Sequence, residues 1–126
     1  REVANQKVVV SISNPQNSRL SSGGADHYIS AAEELQKLLP YSKVIKAFNT
    51  LTPAVFEEPS LDGKKLDVFI AGDDTQAIEV RVAGFNPLIT GNLATSRVLE
   101  EMYFLLLELN NRNGHYGLTA WKILHK

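Results

Sequence analysis

The residues most able to do chemistry in this chain stand at the ends of short apolar runs. Residues 7–13 (KVVVSIS) lead into Asn14-Pro15, residues 43–48 (KVIKAF) into Asn49-Thr50, and residues 66–71 (LDVFIA) into Gly72-Asp73-Asp74. In an open α/β sheet, ligands bind outside the carboxyl ends of the strands. A carboxamide side chain both donates and accepts, so Asn14 and Asn49 suit a planar ligand that carries an amide of its own. Ala47 leaves room for a ring to approach the backbone. Phe48 can pack against such a ring or fill the core. A purely structural role stays open for each of these residues, because Asn and Pro end many strands.

Other candidates are weaker. Asp73 and Asp74 follow a strand, as paired metal-binding carboxylates can, but no third ligand stands nearby and an Asp before a helix is more often a cap. His27, His115 and His125 are isolated, without the spacing of a metal site. The chain has no Cys, which excludes disulfides, thiolate metal sites and a Cys nucleophile together. Neither a Gly-x-Ser-x-Gly elbow nor a Gly-rich phosphate loop occurs, and Gly23-Gly24 lacks the strand–turn–helix setting that phosphate binding needs. Glu57-Glu58 and Glu100-Glu101 read as solvated faces. The expectation is a site without a metal and without a catalytic side chain.

The elements that must position the strand ends follow from periodicity. Continuous β-branched runs are what strands buried on both faces require. Ser30-Ala31-Ala32-Glu33 fits a capping box, with a helix to Leu39 that Pro40 stops. Thr52-Pro53 begins a short helix reaching about Glu57. Asp62-Gly63 is a turn, and Asp74 is expected to cap a brief helix over residues 75–83. A fourth strand is expected over residues 85–90, the longest helix over residues 94–110, a polar turn over residues 110–116 and a closing strand over residues 118–124. Strand–helix alternation argues for a mostly parallel sheet flanked by helices. Tyr103, Phe104, Leu105, Leu106 and Leu107 make the long helix apolar on nearly all sides, which predicts a homodimer contact there.

With 126 residues, the chain has room for one domain. A net charge of -1 leaves no basic field to hold nucleic acid. No apolar run approaches the ~20 residues of a membrane span. The default expectation is a soluble, cytoplasmic protein with neither a membrane nor a nucleic-acid partner. The chain does not begin with Met and opens on what looks like a helix end, which predicts a piece of something longer.

Taken in order, KVVVSISNP, SAAEELQKLLPYSKVIKAFNTL, DVFIAGDD and ATSRVLEE resemble one family over almost the whole chain. This is the family of NADP oxidoreductases dependent on the deazaflavin coenzyme F-420, which includes the reductase domain of the STEAP metalloreductases. The resemblance implies an α/β, partial Rossmann-like fold whose N-terminal half is absent, so that residues 1–126 are the C-terminal part of a single NAD(P)-binding domain. It implies NADP as cofactor and a flavin or deazaflavin as the redox partner, with a hydride passing directly between two stacked rings. It places Asn14 and Pro15 beside the nicotinamide or its ribose, and Ala47, Phe48 and Asn49 along the ring and the second partner. Two departures stand out: the phosphate-binding half is missing, and the stretch from Thr75 to Gly84 is shorter than usual. The alternative is a non-catalytic binding or assembly module derived from the same fold.

Overall fold

The computed structural model describes residues 7–15, 29–72, 83–114 and 119–126. Within them the order is β1 (Val8–Ser11), α1 (Ala31–Leu38), β2 (Lys43–Lys46), α2 (Pro53–Phe56), β3 (Ser60–Leu61), β4 (Lys64–Lys65), β5 (Asp67–Ala71), β6 (Asn86–Gly91), a single 3-10 turn (Leu93–Thr95) and α3 (Ser96–Asn113). Four strands form one sheet in the order β1-β2-β5-β6, and β3 pairs with β4 in a separate hairpin. The β1–β2 and β5–β6 pairs are parallel, which makes the sheet mostly parallel. The two pairs meet at one antiparallel bridge, Lys46 opposite Ala71.

The continuous apolar runs are explained by cover on both faces of the sheet. On β5, Val68 and Ile70 point into one cluster with Ile45, Ala47, Leu51, Val55 and Phe85. The alternate residues Phe69 and Ala71 point into a second cluster with Leu99 of α3. All five residues of β5 are buried. The same alternation puts Val44 and Lys46 on the α3 side of β2.

Local chemistry fixes the element ends. The capping box at α1 forms as the sequence predicts: Ser30 Oγ accepts from Glu33 N–H at 3.1 Å, and Glu33 accepts from Ser30 N–H at 2.7 Å. Gln36 ties the turn after α1, donating to the Leu39 and Ser42 carbonyls and accepting from Val44 N–H. Asp62 and Gly63 both take positive φ, 50° and 75°, the two-residue turn that suits hairpin twist.

Three expectations are corrected. The long helix begins at Ser96 after the 3-10 turn, which Asn92 caps, and it runs on to Asn113, where Gly114 ends it at φ 69°. The polar turn expected from residue 110 is therefore helix for its first turn. The closing strand expected over residues 118–124 does not form in its described part, residues 119–124. Residues 119–126 join no sheet; Asp67 holds them by one backbone bond and by its side chain. Asp67 N–H donates to the Trp121 carbonyl at 3.1 Å, while its buried carboxylate accepts from Ile123 N–H, from Lys122 at 3.0 Å and from Asn86 at 2.7 Å. Burial pushes the Asp67 carboxyl up, and the Asn86, Ile123 and Lys122 donors outweigh it, holding the group below the usual carboxylate range. The expected helix over residues 75–83 and the loop over residues 16–28 fall mostly outside the described residues.

Candidate functional site

The carboxyl ends of β1 and β2 lie side by side because the two strands are parallel. Their last backbone bond runs from Ala47 N–H to the Ser11 carbonyl at 3.3 Å. Beyond it, side chains take over. Asn14 donates to the Asn49 carbonyl oxygen at 3.0 Å, and Asn49 Nδ2 donates back to Asn14 Oδ1 at 2.9 Å. The same Asn49 Nδ2 donates to the Leu99 carbonyl on α3 at 2.9 Å. Both amide hydrogens of Asn49 are thereby used, while its Oδ1 is buried with no partner among the described residues, as is the neighbouring Thr50 Oγ1. A buried acceptor left unmatched costs about 1–3 kcal/mol. The two asparagines that the sequence singles out are thus brought together and joined by two hydrogen bonds.

Phe48 stands at φ 62°, in the left-handed region that few non-glycine residues adopt. This turn takes the chain out of the strand and lets Asn49 reach both Asn14 and Leu99. The Phe48 ring packs with Phe56 and Phe85 in a triad with centroids 5.7, 5.9 and 5.8 Å apart. Phe48 and Pro15 are half-buried. Ala47 is fully buried in the core cluster, so any part it takes in a site comes through its backbone and small size.

The third strand end does not join the other two. The antiparallel bridge of β5 to β2 turns Gly72 back along β2, toward the N-terminal end of that strand. There it lines a cleft of about 260 Å³ with Gln36, Ser42, Lys43, Val44, Asn92 and Leu93. Asp73 and Asp74 lie outside the described residues, as do His27 and His115. Among the described residues, no three His, Asp or Glu side chains cluster as a metal site would require.

One buried ion pair is not among the residues that the sequence singles out. Glu100, expected on a solvated face, is fully buried and pairs with Lys46 at 3.0 Å; neither side chain is exposed. Lys46 Nζ also donates to the Ser13 carbonyl at 2.5 Å, and Glu100 Oε1 accepts from Ala31 N–H at 2.9 Å. Burial pushes the Lys46 ammonium down in pKa, and Glu100 works against that shift. The signal was present in the spacing. Glu100 falls on the α3 face that Ser96, Leu99, Leu106 and Asn110 bury. Beside this pair, Ser30 and Ser96 share a hydrogen bond and Arg97 clasps Glu33. The Arg97 hydrogen bonds are the largest cause holding the Glu33 carboxyl below its ordinary range. The start of α1 is thereby bolted to the start of α3, behind the two strand ends.

No family model matches the chain. Metalloreductase STEAP3 of Rattus norvegicus is 36% identical over 107 residues, which is 80% of this chain and 21% of that protein. The F420-dependent NADP reductase of Methanocaldococcus jannaschii is 35% identical over 88 residues, 64% of this chain and 39% of that protein. A crystal structure assigned as an F420-dependent NADP reductase from an Arthrobacter species matches with a TM-score of 0.79 and 23% identity, covering 98% of this chain and 60% of that one. At that identity it speaks for the fold, which is Rossmann-like. A hypothetical protein from Sinorhizobium meliloti matches with a TM-score of 0.58 and 29% identity over 75% of this chain and 50% of that one. The chain spans about a fifth and about two fifths of the length of the two curated relatives. Over the stretch that is matched, the chain belongs with the oxidoreductase family of the F420-dependent NADP reductases and the STEAP metalloreductases.

Proposed function

We propose that residues 1–126 form the C-terminal part of a single NAD(P)-binding domain, and that this part holds the nicotinamide end of NADP(H) while a hydride passes to or from a flavin or deazaflavin partner. The observation that carries the reading is the Asn14–Asn49 pair with its unmatched Asn49 Oδ1. A nicotinamide carboxamide offers the N–H that this acceptor lacks. Asn14 and Pro15 would border the ring or its ribose. Phe48 and the backbone at Ala47 would form the wall along which ring and partner stack, and Asn49 would orient the carboxamide. The cofactor supplies the hydride. The residues of this chain hold its ring and keep water from it, a task of position rather than acid–base catalysis. The Methanocaldococcus jannaschii relative, by name an F420-dependent NADP reductase, supports the cofactor, and a cytoplasmic setting is part of the same proposal.

In the protein as encoded, Asn14→Ala should weaken NADPH binding by roughly tenfold. Turnover with a flavin acceptor should fall with it, while the melting temperature stays within a few degrees. NADPH titration by fluorescence decides the matter, and unchanged affinity would remove Asn14 from the site. Ala47→Leu is the poorer probe, because Ala47 is packed in the core and a larger side chain there strains the fold itself.

A homodimer through the long helix is part of the same proposal, with its face redrawn. Leu106 is fully buried against the chain's own core. The outward residues are Val98 (63% exposed), Leu105 (52%) and Leu109 (37%), with Met102 half-buried between them. They recur at spacings of four, three and four residues, so they line one stripe about a third of a turn from the core side. One such stripe can meet its own copy across a two-fold axis, residue i touching j as j touches i. Light scattering at micromolar concentration should show two chains per particle, and Leu105→Glu should give one. A wild-type monomer would refute the dimer.

A further inference from the structure

The Lys46–Glu100 pair sits in an unusual place for two charges. Both side chains are wholly buried, on the sheet face that α3 covers. A buried ion pair rarely stabilises a fold more than apolar residues of the same size would. What an apolar residue cannot do is donate a hydrogen bond. The Lys46 ammonium makes one to the Ser13 carbonyl, two residues past the end of β1. At that point the β1–β2 ladder has already ended, its last bond being the one to the Ser11 carbonyl. Ser13 is held by the ammonium, and the next residue is Asn14, whose carboxamide faces Asn49.

We propose that the Lys46–Glu100 pair is a positioning device for the nicotinamide end of the site: the ammonium holds the Ser13 carbonyl where the ladder has stopped, and so sets Asn14 against Asn49. Glu100 keeps the ammonium in place and, through Ala31 N–H, references it to the start of α1. Two helices and two strand ends are thus registered on one buried nitrogen. Lys46 touches no cofactor in this scheme; it acts through Ser13 and Asn14. The proposal rests on the cofactor reading above.

The test compares two ligands in the protein as encoded. NADPH reaches the nicotinamide end, whereas adenosine 2′,5′-bisphosphate carries only the adenosine end of the cofactor. Lys46→Met/Glu100→Gln neutralises both charges and keeps an acceptor for Ala31 N–H, removing the donor to Ser13. It should weaken NADPH by roughly tenfold or more and leave the bisphosphate within about twofold. Equal weakening of both ligands would mean a general structural role and overturn the proposal. Wild-type NADPH affinity in the double variant, with Asn14→Ala still impaired, would overturn it as well. If Asn14→Ala itself binds NADPH normally, the cofactor reading fails and the proposal fails with it. Should the first double variant not fold, Lys46→Met/Glu100→Leu replaces the pair by apolar packing and carries the same expectations.

Discussion

Lys46→Ala should cost about 3–5 kcal/mol of folding stability, the usual result of leaving one member of a buried pair alone. That is a large part of the roughly 5–15 kcal/mol that holds a domain together. The truncation takes the ammonium away from the buried Glu100 carboxylate, which keeps the Ala31 N–H as a donor. It also releases the Ser13 carbonyl and opens a space where a long side chain had been. Lys46→Met/Glu100→Leu should recover most of the loss, because no charge is then left in the core. Urea denaturation of Lys46→Met, of Glu100→Leu and of the pair gives the coupling directly. A loss below about 1 kcal/mol for Lys46→Ala would mean that Glu100 is well satisfied without its partner, against the geometry seen here.

The frame of this fold was readable because its signals are local. Ser30 to Glu33 is a capping box in the sequence and in space. The run at Leu66 to Ala71 is apolar without alternation because both faces of β5 are covered. What periodicity does not encode is strand direction. Nothing local says that β5 runs against β2, and that one reversal turned Gly72 back toward the N-terminal end of β2. The tail failed for a related reason. LTAWKIL has strand composition, but whether it pairs depends on what Asp67 does with its carboxylate, and Asp67 lies more than fifty residues away in sequence. The site was half legible. Asn14 and Asn49 announced themselves by type and position. Lys46 and Glu100 did not, since a charged residue is on average a surface residue. Only placing each on the face its element buries would have brought them together.

Strand β1 should be covered along its outer edge in the protein as encoded. Among the described residues it stands at the end of the sheet with β2 as its single neighbour. The bonds from Lys43 N–H to Lys7 and from Ala47 N–H to Ser11 turn the odd-numbered residues of β1 toward β2. The N–H and C=O groups of Val8, Val10 and Ile12 therefore face outward. Val8 is 43% exposed and Ile12 63%, so apolar surface accompanies the unpaired backbone. A parallel strand with an apolar, unpaired edge is a template for another strand. Each aliphatic side chain fully buried there is worth ~1.5–3 kcal/mol. We infer that a further strand of the same dinucleotide-binding domain, or failing that a second copy of the chain, takes this position. Hydrogen exchange separates covered from open at single residues. Cover predicts that the amides of Val8, Val10 and Ile12 exchange roughly a thousandfold or more slower than free amides, at the rate of whole-domain unfolding. In residues 1–126 prepared alone, the same three amides should exchange fast if the cover is a further strand of the domain and slowly if it is a second copy, while Val9 and Ser11, bonded toward β2, stay slow in either case. Fast exchange at Val8, Val10 and Ile12 in the folded protein as encoded would mean that the edge stands open and that the sheet ends at β1.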